Sequence, residues 1–123
     1  MMSNFWILSG ALSCAICVIV GAFGAHSLKD VLTQYGREVY DKANLYHFMH
    51  SLALIINGIL QKLFIDLNFN LSGYLFLIGI VLFSISLYVL AITDIKILGA
   101  ITPFGGIFFI LGWLYIAGQI YNN

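Results

Sequence analysis

The chain has 123 residues, of which 62% are apolar and 8% are charged, and its formal net charge is zero. A soluble domain carries roughly a quarter charged residues and could not bury so much apolar surface, so the composition indicates an integral membrane protein. A neutral chain also lacks the basic surface that nucleic-acid binding requires, and we expect no nucleic-acid partner.

Four long uncharged stretches divide the chain, and each can cross the hydrocarbon core as a helix, which needs about 20 residues. These stretches are apolar at nearly every position rather than at alternate positions, which favours helices over membrane strands. The sequence therefore predicts an all-α fold, an integral membrane four-helix bundle that forms one domain over residues 1–123. The predicted spans are about 5–25, 44–64, 71–92 and 102–121.

The segment between the first two spans has a pattern of its own. Its apolar residues recur at helical spacing, and its charged residues occupy the other side; the apolar ones are Leu28, Val31, Leu32, Tyr35 and Val39. This pattern predicts a short amphipathic helix over about 28–42 that lies at the membrane surface, with Gly36 interrupting it before the second span. An ordinary loop with local helicity is the alternative.

The distribution of basic residues predicts the orientation. If the spans alternate, the loops after the first and third spans share a face that carries Lys29, Arg37, Lys42 and Lys96, and the opposite face carries Lys62. The positive-inside rule places the first face in the cytoplasm and both termini on the non-cytoplasmic side. The N-terminus does not have the composition of an organellar transit sequence, which favours a bacterial inner membrane.

The second span carries a stripe of polar side chains within roughly 140° of its circumference. Because an unsatisfied polar group facing lipid costs several kcal/mol, this stripe should point into the bundle or a wet cavity. Antiparallel packing should bring His26 level with Asn44 and His47, and the start of the fourth span also lies at that depth. The predicted polar cluster near the inner leaflet consists of His26, Asn44, His47, His50, Ser51, Asn57 and Thr102.

Three interpretations of this cluster are open. The first and favoured one is hydrogen bonding between helices. The second is a cytoplasm-facing pocket for a polar or anionic ligand, a lipid headgroup included. The third is a metal site, since His47 and His50 share a face and His26 could be a third ligand, but the spans hold no carboxylate to complete it. We assign no catalytic residue, no metal ligand and no cofactor.

Small residues repeat every four positions along the first span: Ser9, Ser13, Cys17, Gly21 and Ala25. Such a ridge allows a close helix crossing in lipid, where packing replaces the hydrophobic effect as the driving force. A second copy of the chain, giving a homo-oligomer, or another membrane protein could pack against this ridge. Cys14 and Cys17 have the C-x-x-C spacing of redox and metal sites, but within an apolar helix we expect them to pack as small hydrophobes.

Three motifs follow one another in a specific order: GAFGAH at 21–26, DKANLYHFMHSLAL at 41–54, and TPFGG at 102–106, followed by Gly112 and Trp113. In these motifs the chain resembles the YgdD-like family of small inner-membrane proteins, domain of unknown function 423, which has transmembrane protein 256 as its eukaryotic relative. The resemblance implies a four-helix inner-membrane protein and carries over no established activity, cofactor or catalytic residue.

The same resemblance bears on the histidines. His26 and His50 keep their motif positions, whereas many bacterial members of the family would have Gln in place of His47. Because Gln cannot titrate, this variation implies that His47 is not an indispensable metal ligand or acid–base group.

The function expected from the sequence is that of a non-enzymatic, multi-pass membrane protein, structural or accessory to a larger complex. The chain has no nucleophile constellation, no phosphate-binding loop and no carboxylate pair within the spans. The alternatives are a small transporter or channel, in which His50 would take the place of the usual intramembrane carboxylate, and a lipid or small-ligand binder that uses the polar pocket. The expected partners are the lipid bilayer and either a second copy of the chain or another membrane protein.

Overall fold

The computed structural model describes residues 2–123 and is all-helical. Its four long helices are α1 (Met2–His26), α2 (Gln34–Leu63), α3 (Asn70–Thr93) and α4 (Thr102–Tyr121). The predicted all-α fold is confirmed, and the first, third and fourth helices are long and apolar enough to cross a membrane. The bounds of α3 and α4 agree with the predicted spans to within one residue.

α2 differs from the prediction because it is one continuous helix of 30 residues. Its start is fixed by Thr33, whose hydroxyl accepts a hydrogen bond from the Gly36 N–H at 3.0 Å. Gly36 does not break the helix; it is buried in the first turn, where an added Cβ would lie 3.0 Å from the Ala91 carbonyl of α3.

The separate interfacial helix predicted over about 28–42 is therefore not confirmed. Residues 27–31 form turns without a helix, and residues 34–42 form the first turns of α2. The physical reason is that a helix, once capped at Thr33, propagates until a strong breaker stops it, and a single packed glycine is not such a breaker.

α1 runs antiparallel along α2 in a close crossing. An added Cβ at Gly10 would lie 2.7 Å from the Ser51 carbonyl oxygen, and one at Gly58 would lie 2.6 Å from the Ser3 carbonyl oxygen, so the two backbones touch. Of the small residues repeated along α1, Ser13, Cys17 and Gly21 contact α2. This part of the ridge is used inside the chain rather than presented to a partner.

α3 is not a regular helix throughout. It is α-helical over Asn70–Gly79 and Ser86–Thr93 and π-helical over Ile80–Ile85. Within the π-helical turn, Ser84 is fully buried, and its hydroxyl is the one buried side-chain polar atom without a hydrogen-bond partner among residues 2–123. Because π-helical turns are rare and often lie at functional sites, residues 80–85 mark a part of the bundle where a functional site is expected.

The apolar core consists of three clusters, and the one that joins all four helices lies toward the end of the bundle where the chain begins. Trp6 is fully buried there, in one cluster with Leu54, Phe76 and Phe109. The outward faces of the helices carry large apolar side chains that remain exposed, Leu8 and Phe104 among them. A surface of this kind is suited to lipid rather than water.

Candidate functional site

The seven residues of the predicted cluster do not come together in one place. α2 contacts α1, α3 and α4, so its polar stripe is divided among three neighbours. Asn44, His47 and Ser51 face α1 and α3, whereas His50 faces α4. The remaining three residues, His26, Asn57 and Thr102, lie apart from both groups and from one another.

Asn44, His47 and Ser51 belong to a hydrogen-bond network that joins three helices. His47 Nε2 lies 3.0 Å from the hydroxyl of Ser13 in α1, and His47 Nδ1 lies 3.0 Å from the hydroxyl of Tyr88 in α3. The Ser13 hydroxyl lies 2.6 Å from that of Ser51, and Asn44 Nδ2 lies 3.0 Å from the Tyr88 oxygen. Since Ser13 is close to the middle of α1, the network lies deep in the bundle.

The donors and acceptors of this network can be assigned in order. The Cys17 carbonyl can only accept, so the Asn44 atom 3.0 Å from it is the amide nitrogen, which also donates to the Tyr88 oxygen. At the other end of the network the Ser51 hydroxyl donates to the His47 carbonyl, so it accepts from Ser13, and Ser13 accepts from His47 Nε2. Nδ1 of the neutral ring then accepts from the Tyr88 hydroxyl. The proton of the neutral imidazole is thereby placed on Nε2, from which it is donated to Ser13.

The network ends on the backbone of α2. The Ser13 hydroxyl, having accepted from His47, donates to Ser51, and Ser51 donates to the His47 carbonyl oxygen at 2.7 Å. Every hydroxyl and N–H group along this path has an acceptor, which is the condition under which buried polar side chains stabilise a structure.

His50 has a separate environment. Its Nδ1 lies 2.8 Å from the Tyr46 carbonyl, to which it donates, and its Nε2 accepts from Trp113 Nε1 at 3.2 Å. Its ring stacks on Phe109 with 3.5 Å between centroids. His47 and His50 therefore point to different neighbours, and residues 2–123 contain no group of three His, Cys, Asp or Glu side chains placed to hold a metal ion.

Asn57 holds the turn between α2 and α3. Its Nδ2 donates to the Phe69 carbonyl at 2.9 Å, and its Oδ1 accepts from Ser72 at 2.6 Å. Gln61, one turn further along α2, donates to the Leu67 carbonyl and accepts from the Phe69 N–H, each at 2.7 Å. These amides supply partners to the backbone of a turn between two helices.

The other two predicted residues lie outside the network. His26 is exposed at the end of α1; Asn44 lies beside Cys17 and Gly21, so His26 is roughly two helical turns beyond Asn44 rather than level with it. The Thr102 hydroxyl lies 2.8 Å from that of Ser86 and joins the start of α4 to α3.

Sequence reasoning missed the residue at the centre of the network. Tyr88 was not distinguished from the apolar residues of the third span, although a buried Tyr hydroxyl usually needs a partner. Tyr88 bonds to both Asn44 and His47, and its ring packs against Tyr40 with 5.0 Å between centroids. A tyrosine that lies about one helical turn inside the end of the third span is the signal that could have identified it.

A cleft of about 360 Å³ lies beside this network, between α1 and α3. Ser13, His47 and Tyr88 are among the residues that line it, and its other walls are mainly apolar: Leu12, Ile16, Val20, Leu77, Ile80 and Ile85. Because about half of the surface of Leu12, Ile16 and Ile85 is exposed, the cleft opens on the outside of the bundle. It is bordered by both ends of the π-helical turn.

The assignment of donors and acceptors predicts how His47 tolerates substitution. Gln offers an acceptor and a donor, as neutral imidazole does. The free energy of unfolding of His47→Gln in detergent should therefore lie within about 0.5 kcal/mol of that of the unsubstituted protein. His47→Leu keeps a similar volume but removes both bonds, and we expect a loss of about 1–2 kcal/mol. Equal destabilisation by Gln and Leu would contradict the assignment.

Helices with apolar outward faces and a polar network inside the bundle define a helical membrane protein. Residues 20–106 match the family described as "Protein of unknown function (DUF423)". The chain therefore belongs to this family of membrane proteins, as the resemblance of its motifs predicted.

Several curated proteins are similar over nearly their whole length, and each is called a UPF0382 membrane protein. The one from Staphylococcus epidermidis is 45% identical over 111 residues, 90% of either chain. Those from Staphylococcus haemolyticus and Staphylococcus aureus are 47% and 43% identical over 113 residues, 92% of either chain. No solved structure matches.

Proposed function

We propose that this protein is a non-enzymatic accessory protein of the bacterial cell membrane that binds a lipid-soluble molecule in the cleft between α1 and α3. The observation that carries the proposal is the cleft itself, which is apolar in its walls, open on the side of the bundle and bordered by the polar network. The polar groups of the network bond to one another, and this favours a rigid scaffold over a reactive centre.

The proposal includes four membrane spans, with α2 as the second. The polar side chains of α2 turn toward neighbouring helices, and its outward face carries exposed apolar residues, namely Leu45, Phe48, Met49, Leu52, Ile56 and Ile59. That division suits a helix which is surrounded by helices on one side and by acyl chains on the other. The first turns of α2, with their charged residues, then extend into the inner interface.

The orientation proposed from the basic residues can be tested with a cysteine introduced into either connecting turn, in addition to the native Cys14 and Cys17 within α1. Lys29→Cys lies after α1, and Asp66→Cys lies after α2; both positions are exposed. With a membrane-impermeant maleimide on intact cells, we expect Asp66→Cys to be labelled at once and Lys29→Cys to be labelled only after the cells are opened. The reverse pattern would contradict the proposed orientation.

The position of the cleft explains how a molecule would reach it. The cleft runs from Ser9 to Val20 of α1, about 16 Å along the helix axis at 1.5 Å per residue, and α1 is centred near Ser13. A molecule dissolved in the bilayer would enter sideways without crossing the headgroups. The lining residues include no charged side chain, so the cleft suits an uncharged molecule with a long apolar part.

Two tryptophan substitutions on α1 test the proposal. Leu12 lines the cleft and is 57% exposed, whereas Leu8, one turn away, is 60% exposed and is not a lining residue. We expect protein purified from native membranes to carry a bound molecule in its organic extract, detected by mass spectrometry. Leu12→Trp should abolish binding of this molecule by filling the cleft, whereas protein with Leu8→Trp should still carry the molecule. If the extracts of the unsubstituted protein and of both variants contained only bulk membrane lipids, the proposal would be refuted.

A further inference from the structure

We infer that the molecule bound in the cleft is a lipid-soluble alcohol, whose hydroxyl group donates a hydrogen bond to the network. This inference deepens the proposed function and rests on it. It follows from which hydrogen-bonding positions the network leaves open where Ser13 and Tyr88 line the cleft.

The network has no free donor in the arrangement that satisfies it. The Tyr88 proton is directed to His47 Nδ1, the Nε2 proton of His47 is directed to Ser13, and the Ser13 proton is directed to Ser51. The amide of Asn44 donates to Tyr88 and to the Cys17 carbonyl. A ligand group that can only accept a hydrogen bond therefore meets no donor in this arrangement.

Acceptor capacity does remain. A hydroxyl oxygen has two lone pairs; that of Tyr88 uses one for Asn44, and that of Ser13 uses one for His47. A second lone pair on each oxygen is left over. An incoming hydroxyl can donate to either oxygen while every existing bond stays in place.

A carbonyl or ether at the same place would demand a rearrangement. To release the Tyr88 proton for such a ligand, the His47 proton would have to move from Nε2 to Nδ1. The Ser13 hydroxyl would then have to turn and donate to Nε2, so the single Ser51 proton could serve either the Ser13 oxygen or the His47 carbonyl, and one of these two bonds would be lost. Because an alcohol avoids these changes, the network selects a donor over an acceptor of the same size.

The experiment compares two probes of nearly equal apolarity, farnesol and its methyl ether, on the full chain in phosphatidylcholine nanodiscs. Each competes with a photoactivatable isoprenoid alcohol, and the labelled residues are mapped by mass spectrometry. We expect labels on the cleft residues and displacement by farnesol at about fivefold lower concentration than by the ether, the ratio that one net hydrogen bond supplies. Leu12→Trp should remove the labelling, and Leu8→Trp should retain it.

Tyr88→Phe adds a second measurement, since it removes one of the two oxygens and should bring the ratio between the probes closer to one. If this variant does not fold, the comparison of the two probes on the unmodified chain still decides. Equal competition by farnesol and the ether, or stronger competition by the ether, would overturn the inference while leaving the proposed function in place. Labelling that is spread evenly along α1 and cannot be competed would overturn both.

Discussion

Replacing Trp6 by alanine should lower the free energy of unfolding in detergent by roughly 3 kcal/mol. The side chain is fully buried, and its ring lies against Gly73, where an added Cβ would be 2.5 Å from the indole. Its Nε1 donates to Asn70 Oδ1 at 2.9 Å, so α1 would lose both packing and a hydrogen bond to α3. Much of the effect is the cavity, because lipid can solvate the unfolded side chain but cannot fill the space.

Two further substitutions separate these contributions. Trp6→Phe keeps an aromatic ring and loses the bond to Asn70, and we expect about 1 kcal/mol of destabilisation from it. Tyr121→Ala removes an aromatic side chain that is 90% exposed at the end of α4 and should change the stability by less than about 0.5 kcal/mol. Chemical unfolding in mixed micelles measures all three. Equal stability of Trp6→Ala and Tyr121→Ala would show that Trp6 does not hold α1 to the bundle.

The arrangement around Trp6 also bears on the cleft. Trp6 joins α1 to α3 near the N-terminus of each, and at the other end of α1 an added Cβ at Gly24 would meet the ring of Tyr40 in α2. Along the part of α1 between its contact with α3 at Trp6 and its contact with α2 at Gly24, the cleft separates α1 from α3. Loss of the Trp6 contact should therefore weaken binding in the cleft as well as stability.

The sequence predicted the helices more accurately than their contacts. Long uncharged stretches have a direct physical meaning in lipid, so the limits of α1, α3 and α4 could be read within a few residues. The start of α2 was missed because charge and a glycine suggested a separate surface helix, whereas the packing of Gly36 against Ala91 allows the helix to continue. The π-helical turn of α3 has no recognised sequence signal, since it arises from how α3 packs.

For the site, the sequence predicted which side of α2 is polar but not what each side chain meets. A stripe on one helix suggests one pocket, but the central position of α2 directs Asn44 and His47 to α3, and His50 to α4. The depth of His26 was misjudged because it depends on the register between α1 and α2. That register follows from contacts such as those of Gly10 and Gly58, which cannot be derived from hydropathy.

Gly105→Ala should destabilise the protein by about 2 kcal/mol or more, whereas Gly106→Ala should be neutral or stabilise it by up to about 1 kcal/mol. An added Cβ at Gly105 would lie 2.8 Å from the carbonyl carbon of Leu82 and closer still to the Phe83 nitrogen, both in the π-helical turn. Backbone atoms cannot move aside as a flexible side chain can, so α4 would be pushed away from α3. At Gly106 the same Cβ would meet only the Phe83 ring at 3.9 Å, an ordinary contact.

These two glycines are neighbours in the first turns of α4, so the pair isolates contact with the π-helical turn from general effects on helix propensity. We expect unfolding curves in mixed micelles to move in opposite directions, or for Gly105→Ala alone to move. The Thr102 hydroxyl, which bonds to Ser86 beside this contact, should lose that partner as α4 shifts. If both alanine variants behaved alike, the close approach of α4 to the π-helical turn would not be a source of stability.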